Sequence, residues 1–213
     1  MFSGIIEYLG TIASVDHFGQ GKRLAVESGP LAEGMRAGDS LAVNGVCLTA
    51  VAVHNTVAEF EAAAETLSKT NLGLLVPGIR VNLERPLKAE GRVHGHLVAG
   101  HVDSTSRVLK IRKQPESTLI SFELNEEIRP YVVARGSVAV DGVSLTVSRL
   151  DQASFACSLI GYTLSHTNLG IRKTGEMVNV ETDIIGKYVV SVLERMGFSG
   201  GGITEDKLRE WGY

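Results

Sequence analysis

A twelve-residue stretch that occurs twice constrains this chain more than any other feature. Ser40 to Val51 reads SLAVNGVCLTAV, and Ser137 to Ser148 reads SVAVDGVSLTVS. In each copy apolar residues flank a two-residue turn, Asn44-Gly45 or Asp141-Gly142, and both dipeptides favour the positive φ angles of a type I′ hairpin. Matching positions lie 97 residues apart. The same offset lays Thr66-Leu67-Ser68 on Thr163-Leu164-Ser165 and the TNLG run from Thr70 on the TNLG run from Thr167. It also lays Gly78, Val81, Asn82 and Glu84 on Gly175, Val178, Asn179 and Glu181. Solenoid repeats are shorter, about 20 to 50 residues, so this period predicts a duplicated domain.

At 213 residues and 44% hydrophobic content, the chain can bury two separate cores of viable size. The reading divides it into units at 1–90 and 91–183, followed by a segment at 184–213. A net charge of −3 and 6% aromatic content argue against a nucleic-acid partner, which calls for a basic face or stacking aromatics. MFSGIIEYLG lacks a basic start and a long apolar run, so neither a signal peptide nor a membrane span is expected. A cytoplasmic location follows as an expectation. Cys47 and Cys157 occupy non-equivalent positions in the two units, so no disulfide between them is expected.

Short alternating runs predict strands at Gly4 to Val15, Arg23 to Glu27, the first hairpin, Val57 to Ala62 and Arg80 to Glu84. The second unit repeats them at Arg107 to Lys113, Thr118 to Leu124, the second hairpin, Ser154 to Ile160 and Met177 to Glu181. Helical pieces are expected as one turn at Pro30 to Met35, a helix capped by Thr66, and Glu126 to Ala134 capped by Asn125. Arg85 to Gly95 reads as a linker. The predicted class is all-β, two tandem six-stranded antiparallel barrels, because closure removes the edges of so small a sheet. An open sandwich is the alternative. After the repeat, Ile184, Ile185, Tyr188, Val189, Val192, Leu193 and Met196 fall at helical spacing and predict a C-terminal amphipathic helix. Thr204 to Trp211 suggests a further helical turn behind Gly200 to Gly202.

Several side chains could carry chemistry. His94 and His96 would share a strand face and could reach one zinc, with His101 the only nearby third ligand. Cys47 reads first as a small buried residue and only second as a nucleophile, since hairpin placement alone does not lower a thiol pKa. Its counterpart is Ser144, and each is followed by Leu and Thr, giving a polar edge that two related ligand sites would share. Glu65 is a loop carboxylate whose counterpart is Tyr162. Asp183 can cap the helix that follows it.

MFSGIIE, the GVCLT and GVSLT hairpins, ETLSKTNLG, VNLER, GHLVAGHVD and VNVETD, spread in order through both halves over residues 1 to 196, resemble the riboflavin synthase family. The resemblance implies two Greek-key lumazine-binding barrels, a homotrimer joined through the C-terminal helix, and no cofactor or metal. It implies the dismutation of two 6,7-dimethyl-8-ribityllumazine molecules, by four-carbon transfer, to riboflavin and 5-amino-6-ribitylamino-2,4-pyrimidinedione. It also leaves room for association with lumazine synthase.

By motif, the resemblance assigns to a first-barrel site Gly4, Ile5 and Ile6, Ser40, then Cys47, Leu48 and Thr49, and the run Glu61, Ala62, Ala63, Ala64, Glu65 and Thr66. To the second it assigns Gly100, His101 and Val102, Arg135, then Ser144, Leu145 and Thr146, and the run Leu159, Ile160, Gly161, Tyr162, Thr163 and Leu164. Phe2, Cys47, His101 and Asp183 would approach the reacting rings where the first barrel of one subunit faces the second barrel of its neighbour. His101 would shuttle protons with Ser144 and Thr146 as partners. The chain departs from the family pattern at His94, in place of a glycine, and at Gly161-Tyr162. The rival function is a non-catalytic double barrel that holds one lumazine or flavin as an optical antenna.

Overall fold

The structure, a computed structural model, describes residues 1–196. The first unit contains β1 (Tyr8–Phe18), β2 (Gly21–Glu27), β3 (Ser40–Val43), β4 (Val46–His54), β5 (Val57–Ala62) and β6 (Arg80–Glu84). They close into an antiparallel barrel in the order β1-β2-β5-β4-β3-β6. The second unit contains β7 (Ser104–Lys113), β8 (Thr118–Glu123), β9 (Ser137–Val140), β10 (Val143–Leu150), β11 (Ser154–Leu159) and β12 (Met177–Thr182), closed in the matching order β7-β8-β11-β10-β9-β12. Short helices α1 (Ala64–Lys69) and α2 (Gly161–His166) follow β5 and β11, and α3 (Ile184–Arg195) follows β12.

Alternation along the strands decides what each barrel buries. On β4 the side chains of Val46, Leu48 and Ala50 point into the core while Cys47 and Thr49 face out. Val143, Leu145 and Val147 do the same on β10, leaving Ser144 and Thr146 outside. Both hairpin turns have positive φ at both central residues, 48° and 78° at Asn44-Gly45 and 46° and 78° at Asp141-Gly142. This is the geometry those dipeptides favour.

The turns also meet each other. A Cβ added at Gly45 would lie 2.7 Å from the Gly142 amide nitrogen, and one at Gly142 would lie 2.8 Å from that of Gly45, so only glycine permits this approach. Around the contact six buried polar residues form three pairs at the 97-residue offset: Asn44 and Asp141, Asn71 and Asn168, Asn82 and Asn179. Their bonds repeat across a pseudo-twofold axis. The Asn71 N–H donates to Asn179 Oδ1 at 2.6 Å, as that of Asn168 does to Asn82 Oδ1 at 2.7 Å. Asn82 Nδ2 donates to the Asp141 carbonyl and Asn179 Nδ2 to the Asn44 carbonyl, both at 2.8 Å. A buried amide without a partner is costly, so the network is satisfied only in this docking of the barrels. Its symmetry breaks at Asp141, whose fully buried carboxylate pairs with Arg172 at 2.6 Å.

Two segments cross between the barrels. Phe2 and Val98 exchange backbone hydrogen bonds of 2.7 and 3.1 Å, and the Phe2 ring is 1% exposed against Ala42, Val98 and Ala139. The Glu84 carboxylate accepts the N–H groups of Ser3 and Gly4 at 2.7 and 3.0 Å. Its counterpart Glu181 accepts those of Ala99 and Gly100 at 2.6 and 3.0 Å. Past these clamps the chain passes to the other unit. The Gly4 carbonyl accepts the Ser144 N–H at 2.7 Å, and that of Gly100 accepts the Cys47 N–H at 2.9 Å. Ile6 packs on the second core and Val102 on the first.

Three sequence expectations need correction. The strand expected from Gly4 begins only at Tyr8, because the preceding residues leave for the second barrel. Glu126 to Ala134 forms turns instead of a helix, although Asn125 Oδ1 does accept the Ile128 N–H at 3.2 Å. Pro130 lacks the N–H a helix would use and disfavours helical geometry at Arg129. Thr66 lies within α1, whose cap position is Ala63. The turn expected at Thr204 to Trp211 falls outside the described residues.

Candidate functional sites on the two barrels

Beside its hairpin each barrel presents an outward-facing polar edge, its groove. In the first, Ser40 stands opposite Thr49 on β3 and β4, with Cys47 on the same face. Pairing of Ala50 with Phe60 brings the end of β5, and hence Glu61 to Thr66, back towards Leu48. Glu61 is held by Arg23 at 2.6 Å, and Glu65 is exposed with Lys69 at 2.9 Å. The second groove repeats this plan: Ser144 and Thr146 face out on β10, and pairing of Val147 with Cys157 returns Leu159 to Leu164 towards Leu145. Here the loop carries no carboxylate. Ile160 and Tyr162 are exposed, and Tyr162 stacks on His166 at 4.0 Å between centroids.

The crossing segments change the expected grouping. Gly4 lies at Ser144 and Ile6 packs on the second core, while Ile5 lines a cleft with Ser40; Gly100 lies at Cys47 and Val102 packs on the first core. The reason is the pair of clamps at Glu84 and Glu181, which turn each segment towards the opposite unit. His101 is exposed beside the first groove. The imidazole bonded to Ser144 within the chain is that of His96, with Nδ1 at 2.7 Å from Oγ. By sequence His96 reads only as a metal ligand beside His94. Its GHL context gave no sign of a serine 48 positions away.

Phe2 is sealed between the barrels and shapes the site by spacing them. Asp183 caps α3, accepting the Ile185 N–H at 3.0 Å. Its charge also favours protonation of His96, but burial of the imidazole is the larger effect and holds its pKa below the ordinary value. Arg135 is exposed and left-handed, with φ 65°, and its N–H donates to the Val147 carbonyl at 2.8 Å. Its counterpart Gly38 makes the matching bond to Ala50 at φ 96°. A left-handed φ that suits glycine is a strained conformation for arginine.

Both cysteines are free. Burial pushes the Cys157 thiol up to about 12, whereas Cys47 is partly exposed on the groove face. His94 lines a cleft of about 530 Å³ with Ile5, Ser40, Met35 and Glu84, adjoining the first groove. Among the described residues no group of three His, Cys, Asp or Glu side chains stands where it could hold a metal ion. No helix of the described residues is long and apolar enough to cross a membrane.

Residues 3–86 and 99–183 each match the lumazine binding domain, so the two barrels and their grooves define a tandem lumazine-binding-domain protein. The chain is 37% identical over 215 residues to riboflavin synthase of Bacillus amyloliquefaciens, covering 100% of both chains. It is 39% identical over 193 residues to that of Actinobacillus pleuropneumoniae, covering 91% of this chain and 90% of the relative. It belongs to the riboflavin synthase family. Its fold also matches the crystal structure of LumP complexed with 6,7-dimethyl-8-(1'-D-ribityl) lumazine, with TM-score 0.78 and 22% identity over 85% of this chain and 99% of LumP.

Proposed function

We propose that the chain converts two molecules of 6,7-dimethyl-8-ribityllumazine into riboflavin and 5-amino-6-ribitylamino-2,4-pyrimidinedione by transfer of a four-carbon unit. The observation that carries this reading is the pair of grooves with one backbone plan and unequal edges: Cys47 in the first, Ser144 with His96 in the second. Two copies of one substrate must take different parts, one giving four carbons and the other receiving them. Equal frames hold the same molecule twice, and unequal edges assign the parts.

The lumazine 7-methyl group is acidic because its anion delocalises into the ring, so the protein's main work is positioning. Holding two reactants in register contributes about 7–11 kcal/mol. Thr49 and Thr146, equivalent and outward-facing, bind the heterocycles. In this reading the Cys47 thiol assists addition, and the imidazole of His101, next in sequence to the Gly100 whose carbonyl accepts the Cys47 N–H, moves protons. Arg135 reaches towards ligand from its exposed turn.

The reading places the reaction between subunits of a homotrimer. Ile185, Tyr188, Val189, Val192, Leu193 and Met196 on or just after α3 are exposed although both barrels are complete without them, which supports a subunit contact there. The division into units at 1–90, 91–183 and 184–213 and a cytoplasmic location belong to the same reading. The test is incubation with the lumazine alone. One riboflavin per two lumazines consumed, read by absorbance and green fluorescence, is expected. Bound but unchanged lumazine would overturn the enzyme in favour of an antenna.

A further inference from the structure

The His96 and Ser144 pair differs from everything else in the grooves. The Ser144 backbone is fixed, its N–H given to the Gly4 carbonyl at 2.7 Å, so only its hydroxyl can turn. His96 Nδ1 lies 2.7 Å from that hydroxyl, and the His96 N–H is itself tied to the Ser3 carbonyl at 3.1 Å. Gly95, beside it, packs so closely on Ser144 that an added Cβ would lie 2.8 Å from the serine Cβ. The imidazole is therefore delivered by a tightly seated segment. At the equivalent position in the first groove, no side-chain hydrogen bond to the Cys47 thiol is found among the described residues.

The ring's other nitrogen favours one direction of the bond. His96 Nε2 is buried and has no hydrogen-bond partner among the described residues. A neutral imidazole carries one N–H, on one nitrogen or the other. Were it on Nε2, a buried donor would be left unpaired, which is rarer in proteins than an unpaired acceptor. With the hydrogen on Nδ1 the ring donates to Ser144 Oγ, and the serine O–H is then free to point out of the groove. Resting on the lumazine reading above, we propose that His96 is a positioning residue that turns Ser144 into a hydrogen-bond donor to an acceptor atom of the heterocycle in the second groove. This makes the second groove a donor site in a way the first is not.

The experiment is lumazine titration of the full-length chain, following ligand absorbance, with His96→Leu, His96→Asn, Ser144→Ala and the double variant His96→Leu/Ser144→Ala. His96→Leu is expected to weaken one class of lumazine site about fivefold, the scale of one lost neutral hydrogen bond, and leave the other class unmoved. The absorption maximum of the bound ligand should shift by the same amount in His96→Leu and Ser144→Ala. The double variant should be no worse than either single. Asparagine, whose amide can take the place of Nδ1–H, should restore both affinity and spectrum. Independent, multiplying losses in the double variant overturn the inference, as do equal losses at both sites or an Asn variant that is no better than Leu while matching wild type in thermal midpoint. Wild-type chain that binds lumazine but makes no riboflavin defeats the enzymatic reading alone, because every measurement here is of binding.

Discussion

Replacing Arg172 with leucine tests how the two barrels are held together, and the first barrel supplies the control. Asp141 has a side chain with no exposure, and its Oδ2 receives Arg172 Nη2 at 2.6 Å and Asn168 Nδ2 at 2.9 Å. Its Oδ1 receives Asn71 Nδ2 and the Asn179 N–H, both at 2.8 Å. Arg172→Leu strands a buried carboxylate without its counter-charge, a change that costs about 3–5 kcal/mol. At 97 residues' remove the same two positions are Asn44 and Leu75. There the neutral amide serves the network, with Oδ1 accepting the Asn82 N–H at 2.9 Å and Nδ2 donating to Asn71 Oδ1 at 3.3 Å. The double variant Asp141→Asn/Arg172→Leu copies that arrangement into the second barrel and should recover about 2 kcal/mol or more of the loss, since breaking an ion pair costs more than replacing it. Thermal melts at one fixed protein concentration read the difference, on the order of 2–4 °C per kcal/mol for a chain this size. A double variant no more stable than Arg172→Leu, or a single variant that loses less than about 1 kcal/mol, refutes the account.

Arg135→Gly relieves the left-handed strain and should raise stability by about 0.5–1 kcal/mol while weakening lumazine binding. Urea unfolding and ligand titration check the two halves of that statement, and a destabilised variant counts against it. Burial raises the Glu84 pKa, against the opposing N–H bonds from Ser3 and Gly4. A folded value above the unfolded one, about 4.3, gives stability that is present below the unfolded value and lost as pH rises through the folded one. The stability of wild type relative to Glu84→Gln should therefore shrink as pH climbs out of the acid range, and a gap that widens with pH would be the contrary result.

The repeat made most of the fold legible, because turn dipeptides and alternation are local properties. Asn44-Gly45 and Asp141-Gly142 announced two hairpins, and the apolar residues between them announced which faces close inwards. What escaped was decided by atoms far apart in sequence. Gly4 looks like the start of a strand, and only the Glu84 clamp and the Ser144 N–H reveal that it serves the other barrel. The motif assignment keeps each glycine segment with its own unit's hairpin, whereas the Gly4 and Gly100 carbonyls accept from Ser144 and Cys47 of the other unit. Asn125 gave a true capping signal, yet Pro130 stopped the helix that such a signal usually begins. The His96 pairing with Ser144 left no trace in spacing, since it depends on where the linker re-enters the fold.

The back-to-back turns at Gly45 and Gly142 carry a consequence for how such a chain could have arisen. A contact in which each half presents the same face to the other is the kind formed by two copies of one molecule. Asn44, Asn71 and Asn82 would satisfy one another across such a dimer much as they now satisfy their counterparts. The terminal segment of each copy would reach over the other as Phe2 to Ile6 and Val98 to Val102 do here. Fusion of the copies then adds no new contact and raises only the concentration at which the halves find each other. It also frees them to diverge, since a change such as Asn to Asp at position 141 can be matched by Arg172 on its own side without being imposed on the other. One half of the present protein, cut loose, should seek a twin.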